Sequence, residues 1–455
     1  MDTKISSEIV VTNPTTELLQ WCKDNLVYKN PDYYKKMRMG LYIGRTPKTL
    51  NNYVMNGNKL ILPFGTLKRV WTFIKGNPYK VDFKAKKIYP VSAIRLYGYQ
   101  EKAVRALIQA KNGILISKAG SGKTVMLIEL IARLGYKALW INNKIELMNQ
   151  AYDTAQANIN NITLGKITEG KVEIGDITFA TVQTLSKIDL DKYRDEWAVV
   201  ITDEVQNVCS SPTKITQYAK VLSHLAARFK YGCTATLHRS DGLEGTILDV
   251  IGDVAYEVPE YEIADKIIRA KIKKVNTDYE VSVFARNADG TIGSYATLIN
   301  DLVSNEMRNE MILKYLEENK FENCLILSDR VEHLKYLQAR LGKGAVIDGS
   351  MVSKTAKLRR QEIIKNMREG KENILFATYS LAKEGLDIPI LNRLFLTTPK
   401  KDLTVVIQSV GRVERTCTGK TTPIVYDFVD EKEPMLRNMF TSRRRIYKKN
   451  GNVIE

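Results

Sequence analysis

Cysteine is scarce in this 455-residue chain, and the five present are scattered. Cys22, Cys209, Cys233, Cys324 and Cys417 form no C-x-x-C pair, which argues against a zinc site and for a reducing compartment. Long apolar runs are missing as well; none approaches the ~18 residues of a membrane-spanning helix. The start, Met1-Asp2-Thr3-Lys4, lacks the features of a signal peptide. Together these absences lead to the expectation of a cytoplasmic protein with no membrane partner. No low-complexity tract interrupts the chain, and 44% hydrophobic content is ordinary for a folded protein. The length leaves room for about three domains of ~150 residues.

Acidic residues are in deficit, and unevenly so. The formal net charge is +18, yet residues 1 to 94 hold 16 Lys and Arg against 6 Asp and Glu. Residues 436 to 455 hold 6 against 1, which leaves the middle of the chain near neutral. Basic ends on a neutral body suit a polyanionic partner, with solubilising charge as the plainer alternative. Tyr33-Tyr34-Lys35-Lys36-Met37-Arg38 and Lys68-Arg69-Val70-Trp71 interleave basic and aromatic residues, the mixture that neutralises phosphates and packs on bases.

What is present begins with Ser117-Lys118-Ala119-Gly120-Ser121-Gly122-Lys123-Thr124, between the apolar runs Gly113-Ile114-Leu115-Ile116 and Val125-Met126-Leu127-Ile128. Strand, glycine loop and helix in that order make a phosphate-binding loop, although Ser117 replaces the usual first glycine. Backbone N–H groups and the helix N-terminus would cradle phosphate, Lys123 would reach the β- and γ-phosphates, and Thr124 would ligate Mg²⁺. Downstream, Val199-Val200-Ile201-Thr202 ends in Asp203-Glu204. One carboxylate of such a pair holds Mg²⁺ and the other orients and deprotonates water; Asp203 is assigned to the metal and Glu204 to the base. Gly411-Arg412-Val413-Glu414-Arg415 follows Gln408 on an expected helix, so Arg412 and Arg415 share one face. Such a pair can stabilise charge on a transferring phosphoryl group.

Periodicity divides the chain into residues 1–90, a small basic accessory domain; 91–262, alternating strands and helices; 263–304, a connector; 305–432, a second alternating region without a phosphate loop; and 433–455, a basic tail. Strands are expected at Gly113–Ser117, Ala138–Ile141, Ile177–Ala180, Ala198–Thr202 and Tyr231–Thr234. In the second region they are expected at Cys324–Ser328, Ala345–Asp348, Asn373–Ala377, Arg393–Thr397 and Ile424–Phe428. Asn287-Ala288-Asp289-Gly290, between Val281-Ser282-Val283-Phe284 and Thr291-Ile292, reads as a hairpin.

The ordered set resembles the motifs of superfamily two helicases over residues 95 to 430. Gln100 in Tyr97-Gly98-Tyr99-Gln100 matches the adenine-reading glutamine. Asn142 to Leu147 and Thr178 to Leu185 match motifs that touch the strand backbone. Thr234-Ala235-Thr236, followed by Arg239-Ser240-Asp241-Gly242, is similar to the XPB-like and phage UvsW-like DNA helicases. Leu325 to Arg330 matches motif IV. Phe376-Ala377-Thr378 with Glu384-Gly385-Leu386-Asp387 matches motif V, and Gln408 to Arg415 matches motif VI. The resemblance implies an α/β protein of two tandem RecA-like lobes with a small basic N-terminal domain.

It also implies ATP and Mg²⁺ as cofactors, with Gln100, Lys118 to Thr124, Gly385 and Asp387 on the nucleotide. Catalysis would rest on Lys123, Asp203, Glu204, Gln408, Arg412 and Arg415. DNA contacts would come from Asn143, Lys144, Thr181, Gln183, Arg239, Arg330 and Thr378. Gln206, where relatives often carry His, would join Thr234, Ala235 and Thr236 in coupling the lobes. The segments Asn30 to Thr49 and Arg443 to Lys449 resemble the extra basic parts of branch-migration helicases, adding Arg45 and Lys48 to the DNA contacts. The expected partner is forked or branched DNA with a single-strand track, worked on by a monomer. An RNA helicase, or an ATP-switched binding protein that separates no strands, are the alternatives.

Overall fold

The computed structural model describes residues 1–84, 86–118, 120–208, 216–237, 239, 241–263, 267–287, 289–351, 353–383, 386 and 388–455. Two compact units emerge, Met1–Glu262 and Ile263–Glu455.

In the first unit the N-terminal stretch builds a five-stranded sheet, in spatial order Val54–Asn56, Lys59–Pro63, Glu8–Thr12, Asp2–Ile5, Tyr79–Val81. Glu8–Thr12 alternates, burying Ile9 and Val11 on one face. Helices Thr16–Asn25 and Leu67–Ile74 close that face with Leu18, Cys22, Val70 and Ile74. Thr15 starts the first of these by accepting the Leu18 N–H at 3.3 Å.

The same unit carries an eight-stranded sheet ordered Lys171–Val172, Leu164–Thr168, Ile177–Thr181, Ala138–Asn142, Val199–Asp203, Phe229–Thr234, Gly113–Ile116, Val254–Glu257. Every pairing is parallel except that of Lys171–Val172 with Leu164–Thr168. Consecutive residues Leu139, Trp140, Ile141 and Val199, Val200, Ile201 are all fully buried. Such continuous apolar runs mark a parallel sheet covered on both faces. The five expected strands are its centre; the outer three carried weaker apolar signals.

The basic N-terminal stretch is bolted to this sheet's helices. Asp249, fully buried in helix Glu244–Ile251, accepts from Tyr28 Oη at 2.7 Å, Asn52 Nδ2 at 2.7 Å and Arg69 Nη2 at 2.8 Å. Lys230, on the sheet, donates to the Ser7 carbonyl at 3.0 Å and the Leu222 carbonyl at 2.9 Å.

The second unit is a six-stranded parallel sheet in the order Lys271–Asn276, Ile424–Val429, Arg393–Leu396, Cys324–Ser328, Ile374–Thr378, Ala345–Ile347. Three readings change here. Residues 263–304 are more than a connector, because Lys271–Asn276 is an edge strand that buries Ile272 and Val275 and leaves Lys271 exposed. Around Asn287 the hairpin shrinks to a bridge between Arg286 and Ile292, and Val283–Ala285 is a 3-10 turn. Asp301 stops strand formation there by accepting from Ser282 N–H at 3.1 Å and Tyr279 Oη at 2.6 Å. The basic tail is a helix, Pro434–Lys449, whose Arg443 is buried against Asp427 at 2.9 and 2.8 Å, so this arginine is part of the core.

Candidate nucleotide site

Parallel register brings the candidate phosphate-binding and acidic residues of the first unit to one end of its sheet. Phe229–Thr234 lies between Gly113–Ile116 and Val199–Asp203, pairing Thr234 with Ile116 and Cys233 with Asp203. The phosphate loop, the acidic pair and Thr234-Ala235-Thr236 therefore leave the carboxyl ends of three neighbouring strands, where ligands of parallel α/β sheets bind.

The described residues of the loop are tied to one another and to Thr234. Ser117 N–H donates to the Thr234 carbonyl at 3.0 Å, and Ser117 Oγ donates to Ser121 Oγ at 2.6 Å. Gly120 and Gly122 adopt φ of 84° and 80°, the left-handed turns that aim backbone N–H groups inward. Lys123 opens helix Lys123–Leu134, and its Nζ donates to the Ser117 and Lys118 carbonyls at 2.9 and 3.2 Å. Thr124 follows in the first turn, half-buried. Lys118 pairs with Glu260 at 2.7 Å. Ala119 lies outside the described residues.

Gln100 is buried at the foot of the loop, with both ends of its amide engaged. Its Oε1 accepts the Tyr97 N–H at 3.0 Å, and its Nε2 donates to the Ser121 carbonyl at 3.0 Å. Tyr99 Oη donates to the same carbonyl at 2.9 Å. In this arrangement Gln100 braces the loop.

Asp203 carries three partners. Asn142 Nδ2 donates to its Oδ2 at 3.2 Å; Cys233 Sγ and the Glu204 N–H donate to Oδ1 at 3.0 and 2.9 Å. Trp140 Nε1 donates to Asn142 Oδ1 at 2.6 Å, fixing the amide's orientation. Burial, then Asp203, push the Cys233 thiol well above its ordinary pKa, which keeps it a donor. Asn142 and Cys233 emerge from the register; their sequence signal is a polar or sulfur residue ending an apolar strand beside the acidic one. Glu204 stands at φ 53°, a left-handed conformation unusual for a side chain of its kind. Its carboxylate accepts from Gln206 Nε2.

Arg239 sits inside this network. Its guanidinium is forked onto Asp241 at 2.8 and 2.6 Å and donates through Nη1 to the Gln206 carbonyl. Its N–H donates to Glu244 Oε1 at 2.7 Å. The expected DNA contact is therefore bound to the acid-pair segment, because Asp241 two residues on matches the fork geometry of arginine. Thr234 Oγ1 donates to the Thr236 carbonyl at 2.7 Å and accepts its N–H at 3.1 Å, closing the turn through Ala235.

The candidate backbone contacts of this unit gather at the ends of two adjacent strands, where Asn142 pairs with Thr181. Gln183 Nε2 donates to the Asn143 carbonyl at 2.8 Å, Thr181 Oγ1 donates to Thr184 Oγ1 at 3.0 Å, and Lys144 immediately precedes helix Ile145–Asn158. Arg45 and Lys48 are exposed in the N-terminal part.

In the second unit, Ser328 and Thr378 pair at the ends of neighbouring strands, and Arg330 leaves the first of these. Arg330 Nε donates to Asn300 Oδ1 at 2.7 Å, and Thr378 Oγ1 meets Ser380 Oγ at 2.9 Å. Gln408 is buried in helix Leu403–Val413, and Arg412 in its last turn donates to the Ala382 carbonyl at 3.3 Å. Arg415 departs from the shared helical face, since the helix ends at Val413 and Arg415 bridges to Ile267. Glu414 causes the break by accepting from Ala270 N–H at 3.1 Å and Asn452 Nδ2 at 2.6 Å. Gly385 and Asp387 lie outside the described residues.

The donor set of the first unit fits a nucleotide phosphate and its cation. Left-handed glycines, a helix N-terminus and the Lys123 ammonium suit phosphate; a threonine hydroxyl and a strand-end carboxylate suit Mg²⁺.

Known protein families match a stretch of each unit. Residues 93–239 match the family described as type III restriction enzyme, res subunit, and residues 307–417 match the helicase conserved C-terminal domain. The L396 protein of Acanthamoeba polyphaga mimivirus, provisionally named an ATP-dependent RNA helicase, is 24% identical, covering 89% of this chain and 78% of its own. XPB2 of Sulfurisphaera tokodaii, named a DNA 3′-5′ translocase, is 23% identical over 65% of this chain and 73% of its own. Among solved structures, Saccharomyces cerevisiae Dbp5 bound to RNA and ADP BeF3 aligns with a TM-score of 0.55 at 14% identity, covering 87% of this chain and 94% of that one.

Proposed function

This chain belongs to superfamily two of the helicases and has its two RecA-like sheets, and from that premise we propose that its ATP-driven motor works on DNA, at forks or branches. The observation that carries the reading is the register that brings the phosphate loop, with Lys123 and Thr124 opening the helix after it, and the strand ending at Asp203 to the same end of the sheet, on either side of Phe229–Thr234. ATP with Mg²⁺ would supply the phosphoanhydride bond whose hydrolysis drives the motor. Lys123 and the loop N–H groups would bind its phosphates, and Thr124 with Asp203 would hold the cation. Glu204, steadied by Gln206, takes the proton of the attacking water. The resemblance assigns Gln408, Arg412 and Arg415 to stabilising charge on the transferring phosphoryl group. Asn143, Lys144, Thr181 and Gln183 on one unit and Arg330 and Thr378 on the other grip the strand backbone. Alternation of these grips during the cycle moves the chain along the strand without regard to sequence.

DNA is favoured over RNA by the Thr-Ala-Thr turn followed by Arg239 and Asp241, similar to the XPB-like enzymes, and by the DNA named in the XPB2 relative. The mimivirus relative's name supports the RNA reading. ATP hydrolysis measured with single-stranded DNA and with RNA of equal length separates the two. Stimulation by DNA at least ten-fold above RNA is expected, and the reverse order would refute the DNA assignment. Equal unwinding of forks, four-way junctions and simple tailed duplexes would remove the branch preference.

A further inference from the structure

Residues 27–51 form an arm that the motor chemistry does not use. Val27–Lys29 and Thr49–Asn51 pair as a two-stranded ribbon, and between them stand helix Pro31–Arg38 and the loop 39–48. That helix has no buried residue, so it adds nothing to a core. The arm is nonetheless firmly built. Asn30, fully buried, donates through Nδ2 to the Pro47 carbonyl at 2.7 Å and through its N–H to the Lys48 carbonyl at 3.1 Å. Its Oδ1 caps the helix at the Asp32 N–H, 3.0 Å away, and Lys36 Nζ donates to Thr46 Oγ1 at 2.7 Å. Tyr28 on the ribbon and Asn52, the residue that follows it, both donate to Asp249 at 2.7 Å.

A rigid, well-footed arm presents an apolar tip. Tyr42 is 91% exposed, and Met39 and Leu41 beside it are 60% and 52% exposed. A Cβ added at Gly44 would come within 3.1 Å of the Tyr42 ring, so this glycine lets the ring lie over the loop backbone. The same arm carries Lys29, Lys35, Lys36, Arg38, Arg45 and Lys48, against the one acid Asp32. An exposed flat aromatic on an arm of positive charge matches unpaired bases emerging from a polyanionic duplex.

We propose that this arm is the chain's junction-reading wedge, with Tyr42 stacking on the first unpaired base at the mouth of a DNA duplex and the arm's basic residues holding the flanking phosphates. The inference rests on the DNA reading above. It assigns strand separation to Tyr42, whereas hydrolysis stays with the nucleotide site.

The test uses the full chain as wild type, Tyr42→Ala and Tyr42→Phe, on a DNA fork carrying 2-aminopurine at the first unpaired position. Without ATP, wild type and Tyr42→Phe should quench the fluorophore and Tyr42→Ala should not. With ATP, Tyr42→Ala should displace the strand about ten-fold more slowly, as expected for losing one base–aromatic stack. Its hydrolysis with a single-stranded oligonucleotide should stay within about two-fold of wild type. Equal quenching and displacement by Tyr42→Ala would overturn the proposal. So would flotation of the wild type, but not Tyr42→Ala, with phosphatidylserine vesicles in the absence of any quench, which would make the tip a membrane contact. Failure of DNA to stimulate wild-type hydrolysis would count against the DNA motor alone, since the quench needs no ATP.

Discussion

Asn142 donates its side-chain amide to the carboxylate of Asp203 across 3.2 Å, and Trp140 in turn holds Asn142 at 2.6 Å. The carboxylate assigned to the cation is thus oriented by the neighbouring strand. Replacing Asn142 with Ala removes a hydrogen bond to a charged group, worth about 1.5–3 kcal/mol. Turnover of ATP should fall roughly ten-fold or more, with the Michaelis constant for ATP changing less. Steady-state hydrolysis at several Mg²⁺ concentrations checks this, and recovery at high Mg²⁺ is the expected signature of a loosened Asp203.

Arg239 is joined to Asp241, Glu244 and the Gln206 carbonyl. Arg239→Ala should therefore slow hydrolysis about ten-fold through Gln206 and Glu204 while leaving DNA affinity within about two-fold. A residue that neutralises a phosphate would behave differently, reducing affinity and lowering the salt slope by about one. Fluorescence anisotropy over a salt series distinguishes the outcomes.

Asp249 binds three groups of the N-terminal part at once, among them the Arg69 guanidinium at 2.8 Å. Asp249→Ala strands those donors, and losing one partner of a buried pair costs about 3–5 kcal/mol. Urea denaturation should show a loss at the lower end of that range, since Arg69 is 26% exposed. Limited proteolysis should release fragments ending near residue 90 faster than in the wild type.

Lys230 offers a test with pH. Burial pushes its ammonium down to about 7, and Glu8 is its charged neighbour. A lysine depressed in the folded chain binds fewer protons there than when unfolded, so its contribution to stability rises between pH 7 and about 10. Below pH 7 the lysine is protonated in both states and the dependence vanishes. The wild type should gain stability relative to Lys230→Met from pH 7 to pH 9, measured by denaturant midpoints. Parallel curves for the two proteins would contradict the assignment.

Sequence alone shows the phosphate loop and the strand ending in Asp203-Glu204, because an apolar run, two glycines and a charged end are local features. It also shows both parallel sheets, since strands buried on both faces read as unbroken apolar runs. Three things needed the folded chain. Lys271–Asn276 is rich in lysine, as an edge strand tolerates, and so resembles a linker. Among Arg443, Arg444 and Arg445, only the position of Asp427 on the adjoining strand decides that the first is buried. Arg239 is placed among the DNA contacts by its motif alone, and only the fold brings Gln206, thirty-three residues earlier, beside it.

The central claim is that hydrolysis at Lys123, Asp203 and Glu204 drives separation of DNA strands. Its most direct test is displacement of a labelled strand from a DNA fork by the full chain, with Lys123→Ala and Glu204→Gln alongside. The account predicts displacement by the wild type with ATP and Mg²⁺, none without ATP, and none by either variant, although Glu204→Gln still binds ATP. Displacement that continues without ATP, or in Lys123→Ala, would contradict it.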